Sequence, residues 1–305
     1  MRTFEGRAMG SPLRLSVPGT TDAEAGWRAV LDEFELSEQA MSRFRETSEL
    51  TRLNRLAGKT ESVVVSGRLR MALTAAERAR RVTGGRFEPR VLTALDRVGY
   101  RGARLPVVDA TPRSRWSGAV VRRSGCAGLM IDHPIDLGGI GKGLAVRWAT
   151  RRLERLGLSD FLLEAGGDLM TRGAAPDAGE WKIGIEDPFG GPDPKAVIAV
   201  GPAGAAVATS SIRVHQWRSD GRLVHHLIDP ATGEPGGAGL QAVTVAGPDP
   251  AWAEVWSKSL FVGGADAIGD EARSRGLAAW WVDDSGTLGM TPAARPMTAW
   301  VAGEG

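Results

Sequence analysis

Residues 131–143 read I-D-H-P-I-D-L-G-G-I-G-K-G and place an acid, four glycines and a lysine after a short apolar run. Glycines let a backbone approach a ligand closely, and the N–H groups at the start of a helix attract anions. Lys142 would add a point charge for a phosphate. The stretch lacks the Ser or Thr that follows a P-loop lysine, and it lacks the G-x-G-x-x-G spacing of a dinucleotide fold. It predicts either another kind of phosphate-binding turn or a tight strand-to-helix turn with a solvated lysine.

Two further segments carry residues suited to chemistry. A-G-G-D at residues 165–168 follows an apolar run, and its glycines suit the close approach of another backbone or of a ligand. V-H-H-L-I-D at residues 224–229 holds two of the four histidines in the chain. A histidine is a good general base near neutral pH, although a polar strand pair is the other interpretation. Strand alternation would place His225 and His226 on opposite faces, with His226 on the side of Ile228.

The pattern around these segments predicts the elements that must position them. Apolar residues have helical spacing at 22–41, 47–57, 66–82, 90–99, 141–156, 250–262 and 266–275, and Asp22 is expected to cap the first helix. Strands are expected at 3–17, 62–65 and 160–164, repeatedly between 181 and 246, and two or three times over 277–302. This is a mixture of helix and strand without regular βαβ alternation. Because the Gly/Pro clusters suggest surface loops rather than linkers, residues 1–305 are predicted to form a single globular unit.

The composition excludes several classes of protein. The 305 residues include 38 basic and 36 acidic side chains, and a net charge of +2 does not predict binding to nucleic acid or to a membrane surface. One cysteine, Cys126, cannot form an internal disulfide or a Cys-based zinc site, and it is expected in a strand or loop. No window reaches the roughly 18 apolar residues of a transmembrane helix. The N-terminus lacks the pattern of a signal peptide, so a soluble cytoplasmic protein is expected.

Seven segments, taken in order along nearly the whole chain, resemble the ApbE family of magnesium-dependent FAD:protein FMN transferases. They are M-G-S-P, M-S-R-F-R-E-T-S-E-L-T-R-L-N, G-G-R-F-E-P, I-D-L-G-G-I-G-K-G-L-A-V, L-L-E-A-G-G-D-L, V-A-T-S-S and H-H-L-I-D-P-A-T-G-E-P. Each segment is modest in specificity, but together and in this order they identify the chain as a member. The resemblance implies an α+β, T-fold-like arrangement of mixed sheets with packed helices, in two packed sub-regions.

The resemblance also implies an activity. FMN would be transferred from FAD onto a Ser or Thr hydroxyl of an acceptor flavoprotein, with Mg²⁺ near the pyrophosphate and with release of AMP. Such a transfer at phosphorus requires neutralisation of charge and a base for the hydroxyl. The implied FAD contacts are Met9, Phe44, Arg86, Phe87, Glu88, Asp136, Lys142 and Ile228. The Gly139 carbonyl and Glu254 fall at metal-ligand positions, while His226 is the candidate base and His225 the alternative.

One departure from the family pattern concerns the metal. Glu254 and Lys258 are four residues apart on one helix face and, taken alone, would be an ordinary ion pair worth about 0.3 kcal/mol. In the family these two positions offer Mg²⁺ an Asp carboxylate and a Thr hydroxyl. A glutamate can still bind Mg²⁺, but a lysine ammonium has no lone pair to donate and would repel the ion. The resemblance therefore implies an altered metal site, in which Lys258 pairs with Glu254, faces the pyrophosphate and takes part of the role of the ion.

Four other residues depart from the family pattern. Glu88 and Arg90 stand in F-E-P-R where the family has F-D-P-T. Ser211 replaces a glycine in A-T-S-S, and Arg147 replaces an aspartate in the helix after the glycine-rich turn. Several changes near the expected pyrophosphate position indicate a divergent branch of the family.

Such divergence leaves alternatives to protein flavinylation. A related protein could bind FAD without labelling an acceptor, as an FAD pyrophosphatase, as a transferase with another acceptor, or as a flavin-carrying module without enzyme activity. The acceptor motif of the family, D-x-x-[ST]-G-A-T, does not occur in this chain. Self-flavinylation at that motif is therefore not expected, and the acceptor would be a separate flavoprotein.

Overall fold

The structure, a computed structural model, describes residues 1–19, 23–102, 122–124, 128–176, 179–213, 215–219 and 221–303. The helix cap expected at Asp22 and the strand or loop expected at Cys126 lie outside these residues. The chain divides into two compact units. Unit 1 contains residues 1–34, 142–214 and 237–305, and unit 2 contains residues 35–141 and 215–236.

The described helices match the sequence prediction closely. They are α1 (Ala23–Met41), α2 (Glu49–Arg55), α3 (Gly67–Val82), α4 (Leu92–Arg97), α5 (Gly141–Arg155), α6 (Pro250–Gly263) and α7 (Ala265–Ser274), with short 3₁₀ helices at Pro89–Val91 and Arg295–Met297. All seven predicted helical segments form helices whose ends lie within two residues of the expected positions. None of the described helices is both long enough and apolar enough to cross a membrane.

The described strands fall into five sheets. They are β1 (Arg2–Ala8), β2 (Ser11–Val17), β3 (Val63–Val64), β4 (Arg122–Ser124), β5 (Gly128–Met130), β6 (Phe161–Ala165), β7 (Asp168–Arg172), β8 (Trp181–Ile185), β9 (Ala196–Val200), β10 (Ala206–Ser211), β11 (Gln216–Ser219), β12 (Arg222–His225), β13 (Ile228–Asp229), β14 (Glu234–Pro235), β15 (Leu240–Gly247), β16 (Ala278–Asp283), β17 (Leu288–Met290) and β18 (Thr298–Val301). Helices packed on these sheets make the fold α+β, as predicted, and all the described strand pairs are antiparallel.

Unit 1 is built on an eight-stranded sheet in the order β1-β2-β6-β7-β10-β15-β16-β17. Neighbouring strands are antiparallel throughout. Alternate residues therefore face opposite sides. One face packs on α1 and α5, where Phe34 and Phe161 are fully buried, and burying each such side chain stabilises the unit by about 2 kcal/mol. The other face packs on the small sheet β18-β9-β8 around buried Trp280.

Two hairpins of unit 1 bend the chain where the sequence contains glycine. The expected strand at 3–17 is instead the pair β1–β2, joined by Met9 and Gly10 at φ 50° and 73°. The prediction of one strand was wrong because a methionine at positive φ is uncommon, and the sequence gives no reason to expect it. Gly166 and Gly167, at φ 60° and 88°, join β6 to β7 in the same way. This second turn places Asp168 at the first position of β7.

Unit 2 contains α2, α3 and α4, the sheet β3-β5-β4 and the hairpins β11–β12 and β13–β14. Ser48 and Ser66 cap α2 and α3, since each side-chain oxygen accepts a hydrogen bond from a backbone N–H in the first turn. A small apolar core joins Val91 and Leu95 to Ile228, with Tyr100 and Trp217 packed on it. The predicted strand through V-H-H-L-I-D is interrupted, because β12 ends at His225 and β13 begins at Ile228.

Candidate functional site

The first half of the glycine-rich motif lies in unit 2 and is held by its acid. A strand-to-helix turn would require the apolar run of the motif to be a strand, but the chain is irregular from the end of β5 to the start of α5. Asp136 is buried, its Oδ1 lies 2.8 Å from Arg43 Nε, and its Oδ2 accepts a hydrogen bond of 2.9 Å from the Gly138 N–H. A Cβ on Gly138 would lie 2.8 Å from Asp136 Oδ2. The acid therefore fixes the turn, and residue 138 must be small.

Arg43 connects this turn to an aromatic surface within unit 2. The guanidinium is buried, and Nη2 donates a hydrogen bond of 2.7 Å to the Tyr100 carbonyl. It also lies over the Phe44 ring, 4.3 Å from the centroid, while 54% of Phe44 remains exposed. Burial raises the pKa of Asp96, 3.5 Å from Arg43 Nη1, although the charge of Arg43 opposes this increase. A buried cation beneath an exposed ring suits the binding of a planar aromatic ligand.

The second half of the motif begins α5 in unit 1. Lys142 forms an ion pair with Asp168, which the β6–β7 turn presents. The Gly143 N–H donates a hydrogen bond of 2.8 Å to Glu254 Oε2. A Cβ on Gly143 would lie 2.5 Å from the Pro250 carbonyl oxygen, so the backbones of α5 and α6 meet at this glycine. The A-G-G-D turn also meets another chain segment closely, as expected, because a Cβ on Gly166 would lie 2.6 Å from Ser11.

Two buried carboxyl groups lie beside each other next to this helix start. The pKa of Glu254 is raised to about 8, because burial and the nearby charge of Asp168 raise it more than Lys142, the Gly143 N–H and Lys258 lower it. Burial also raises the pKa of Asp168, and its main opposing influences are the charge and hydrogen bond of Lys142. The Thr209 backbone supplies a further hydrogen bond to Asp168. Burial therefore favours the protonated form of each carboxyl group, and the neighbouring cations and N–H donors oppose this effect.

Lys258 follows Glu254 by one turn of α6 and is only 9% exposed. A lysine is almost never buried to this degree without a charged or polar neighbour. The adjacent Ser257 hydroxyl hydrogen-bonds the Glu254 carbonyl at 3.0 Å and the Ser210 hydroxyl at 3.0 Å. The interpretation of Glu254 and Lys258 as a surface ion pair was wrong, because both residues are buried.

Two residues that depart from the family pattern interact with each other in unit 2. Arg90 Nε and Nη2 donate hydrogen bonds of 2.8 Å each to the two carboxylate oxygens of Glu88. Both side chains are buried. Glu88 Oε1 also accepts a hydrogen bond of 3.1 Å from the Arg90 backbone N–H, at the start of the 3₁₀ helix.

Arg147, which also departs from the family pattern, lies in unit 1. It forms an ion pair with Asp249, which caps α6.

The two candidate bases in unit 2 have different hydrogen bonds. His225 Nδ1 accepts a hydrogen bond of 3.2 Å from the Leu227 N–H, and the ring also hydrogen-bonds the Gly236 backbone. Burial lowers the pKa of His225, and the bond to Gly236 raises it in part. His226 Nδ1 lies 3.5 Å from the His215 carbonyl oxygen. Because a carbonyl only accepts, a hydrogen bond here requires the tautomer with the proton on Nδ1, and the lone pair of the neutral ring is then at Nε2.

The remaining predicted site residues lie in differing environments. Met9 occupies the β1–β2 turn of unit 1, where it packs on the helix-side core. In unit 2 Phe87 and Ile228 are buried, Gly139 is buried within the glycine-rich turn, and Arg86 is half-buried. Of all predicted site residues, Lys142, Glu254 and Lys258 are brought together in unit 1, with Asp168 added to them.

Sequence reasoning missed Arg43 and Asp168. Arg43 belongs to the quoted segment S-R-F-R-E, but only the structure shows that it holds Asp136 and lies beneath Phe44. Asp168 ends the A-G-G-D segment, and an acid directly after a double-glycine turn was the available signal. Within unit 1 the lysine ammonium groups can bind an anion, and within unit 2 an imidazole can accept a proton.

Known proteins are similar to this chain in sequence over most of its length. The ApbE family model matches residues 9–281. A protein of Klebsiella pneumoniae (strain 342) named FAD:protein FMN transferase is 28% identical over 300 residues, which cover 93% of this chain and 84% of that relative. A protein of the same name from Escherichia coli (strain K12) is 26% identical over 301 residues, which cover 93% of this chain and 84% of the relative.

A solved structure shares the fold. The crystal structure of the ApbE protein from Thermotoga maritima superposes with a TM-score of 0.81 at 26% identity, covering 97% of this chain and 98% of that chain. The family match spans most of the sequence, and the solved member has the same arrangement of sheets and helices. This chain therefore belongs to the ApbE family.

Proposed function

We propose that this protein is an FAD:protein FMN transferase, which moves FMN from FAD onto a Ser or Thr hydroxyl of an acceptor flavoprotein. The observation that carries the proposal is the family match over residues 9–281, since relatives that cover most of the chain bear this name. The two kinds of group that the reaction requires, cations for the pyrophosphate and an imidazole base, are both available among the described residues.

In the proposed reaction the acceptor hydroxyl oxygen attacks the phosphorus on the FMN side of the pyrophosphate. A new P–O bond to the acceptor forms, the P–O bond to AMP breaks, and AMP leaves with the bridging oxygen. The hydroxyl proton passes to the base. We assign this role to His226, because its Nδ1 contact with the His215 carbonyl leaves the lone pair at Nε2. His225 is the weaker candidate, because its ring is engaged by Leu227 and Gly236.

FAD contacts are proposed in both units. In unit 2, Arg43 and the exposed Phe44 ring provide a surface suited to a planar ring system, and Asp136 shapes the glycine-rich turn. In unit 1, Lys142 and Lys258 supply positive charge for phosphate oxygens. Met9, Arg86, Phe87, Glu88 and Ile228 remain proposed contacts on the resemblance alone. No residue among them is assigned to the chemical step.

The Mg²⁺ ion implied by the resemblance fits these residues poorly. Mg²⁺ requires oxygen ligands in near-ideal octahedral geometry. No group of three or more His, Cys, Asp or Glu residues suited to a metal occurs in the part of the chain that the structure describes. Asp168 already pairs with Lys142, and Glu254 already accepts the Gly143 N–H. The buried ammonium of Lys258 adds repulsion, so the proposed mechanism includes no step through Mg²⁺.

The proposal is tested by incubating the protein with FAD and an acceptor flavoprotein domain that carries the D-x-x-[ST]-G-A-T motif. We expect a mass increase of one FMN on the acceptor, in-gel flavin fluorescence, and one AMP released for each acceptor labelled. The matched control is the same acceptor with its motif Ser or Thr changed to Ala. Release of AMP and free FMN without labelling would identify an FAD pyrophosphatase instead. Tight FAD binding without turnover would identify a flavin-binding module.

A further inference from the structure

Four ionisable side chains meet in unit 1, and they come from three elements. Lys142 lies in the first turn of α5, Asp168 begins β7, and Glu254 and Lys258 lie one turn apart on α6. Lys142 pairs with Asp168, and both lysines act electrostatically on Glu254. Asp168, Glu254 and Lys258 are all buried.

The formal charges of this cluster balance without a metal ion. Two ammonium groups and two ionised carboxylates sum to zero, and each proton taken up by a carboxylate adds positive charge. With a divalent cation added, the cluster would therefore carry a net charge of at least +2. Uncompensated charge is costly where the surrounding side chains are buried. Replacing Lys258 by a neutral residue would remove one positive charge, so that a bound cation would leave less charge uncompensated.

We propose that Lys258 supplies the positive charge that a divalent cation would otherwise supply beside Glu254, and that this protein binds FAD without a divalent cation. The role toward FAD rests on the proposed function, whereas the exclusion of a metal does not. An ammonium offers three N–H donors to phosphate oxygens and needs no octahedral shell of ligands. Unlike a bound metal ion, the lysine is part of the chain, so a chelator cannot remove it.

The first experiment measures metal binding without FAD. Mn²⁺ is the probe, because carboxylate sites that accept Mg²⁺ also accept Mn²⁺ and its electron paramagnetic resonance signal reports the free ion. We expect no stoichiometric binding by the wild type and one bound Mn²⁺ in Lys258→Thr, where a hydroxyl replaces the ammonium. The matched control is Lys182→Thr, because Lys182 is an exposed lysine of unit 1 that pairs with Glu180. This control should behave as the wild type.

Two results of this experiment would overturn the proposal. Stoichiometric Mn²⁺ binding by the wild type would show that Lys258 does not exclude the ion. Absence of binding in both the wild type and Lys258→Thr would show that Lys258 does not stand in the place of an ion. Thermal unfolding of each variant, with Lys258→Met as a second neutral replacement, separates these results from a failure to fold.

The second experiment measures FAD affinity by calorimetry in EDTA and in excess Mg²⁺. For the wild type we expect the two dissociation constants to agree within about twofold, and in EDTA Lys258→Met should bind FAD about tenfold more weakly. Loss of wild-type FAD binding in EDTA would refute the inference while leaving the transferase proposal intact. If the wild type binds FAD under neither condition, the transferase proposal fails, and the Mn²⁺ experiment alone decides the role of Lys258.

Discussion

Arg90 holds Glu88 through two parallel hydrogen bonds of 2.8 Å, and both side chains are buried in unit 2. These are the two residues at which F-E-P-R departs from the F-D-P-T of the family. In the sequence, these two changes were among those that indicated a divergent branch of the family. Considered together, they form one bidentate pair, the strongest geometry available to an arginine and a carboxylate. The two substitutions are therefore best understood as a single compensated change.

This pairing predicts a strong coupling between the two positions. Arg90→Met should lower the free energy of unfolding by about 3 kcal/mol, because it leaves the Glu88 carboxylate buried without its partner. The double variant Glu88→Gln/Arg90→Met should lose less than the sum of the two single variants. Urea unfolding of the four proteins measures the coupling energy. The exposed pair Arg213–Glu186 provides the control, and Arg213→Met should cost less than about 1 kcal/mol.

The close approach of α5 and α6 predicts that Gly143 cannot be enlarged. Gly143→Ala would place a Cβ 2.6 Å from the Ala251 Cα, and a backbone atom cannot move aside as a side chain can. We expect a loss of about 3 kcal/mol of stability from this overpacking. Gly67→Ala is the matched control, because Gly67 also lies in the first turn of a helix and its added Cβ would meet nothing within 4 Å. Equal thermal stability of the two variants would contradict this account.

The extent to which the structure could be predicted depended on the range of the interactions. Apolar spacing within one element was sufficient for the seven helices, because such periodicity is local. The β1–β2 turn was missed because it requires positive φ at Met9, which the residue type does not indicate. The interruption after His225 was missed because V-H-H-L-I-D is apolar and β-branched enough to resemble one strand.

The candidate site shows the same contrast between local patterns, which could be predicted, and long-range contacts, which could not. Lys142 was identified from its own motif, but its partner Asp168 lies 26 residues away in the chain. Their contact depends on the β6–β7 turn and on the packing of α5, neither of which can be derived from local sequence. The burial of Lys258 could not be predicted either, because a Glu–Lys spacing of four residues is typical of exposed helix faces. The opposite charges at positions 88 and 90 were a local signal of pairing that the sequence analysis did not use.

The different hydrogen bonds of the two histidines predict different effects of substitution. His226→Gln should reduce the rate of acceptor flavinylation by about 10²–10⁴-fold, because an amide cannot take the hydroxyl proton. FAD affinity should stay within about twofold of the wild type, since binding does not require the base. Single-turnover flavinylation and calorimetry measure the two quantities separately. A parallel loss of FAD affinity and rate would instead make His226 a binding residue.

His225 should respond as a structural residue. His225→Asn keeps a side-chain acceptor near the Leu227 N–H and should unfold close to the wild-type temperature. His225→Leu leaves that N–H without its acceptor and should cost about 1–2 kcal/mol. Thermal unfolding compares the two variants. If His225→Asn loses the full flavinylation rate while remaining folded and binding FAD, the roles assigned to the two histidines would have to be exchanged.

The burial of Glu254 predicts a pH dependence of stability. Its pKa is raised in the folded protein to about 8 from a usual value of 4.5, so folding favours the protonated carboxyl group. The stabilising contribution of this protonation is complete below the unfolded pKa, and it is lost as the pH rises through the folded pKa. Glu254→Gln keeps an oxygen for the Gly143 N–H and cannot ionise. The stability of the wild type relative to this variant should therefore fall by a few kcal/mol between about pH 5 and pH 8.

Urea unfolding of the wild type and Glu254→Gln across this range measures the effect as a difference. The comparison matters because burial lowers the pKa of His133 and His225, and stability then rises with pH near pH 6 in both proteins. Subtraction removes that shared contribution. Glu180→Gln, at an exposed position of unit 1, is the matched control and should differ from the wild type by a constant amount. A constant difference for Glu254→Gln as well would show that the Glu254 carboxyl group is not forced toward its protonated form by burial.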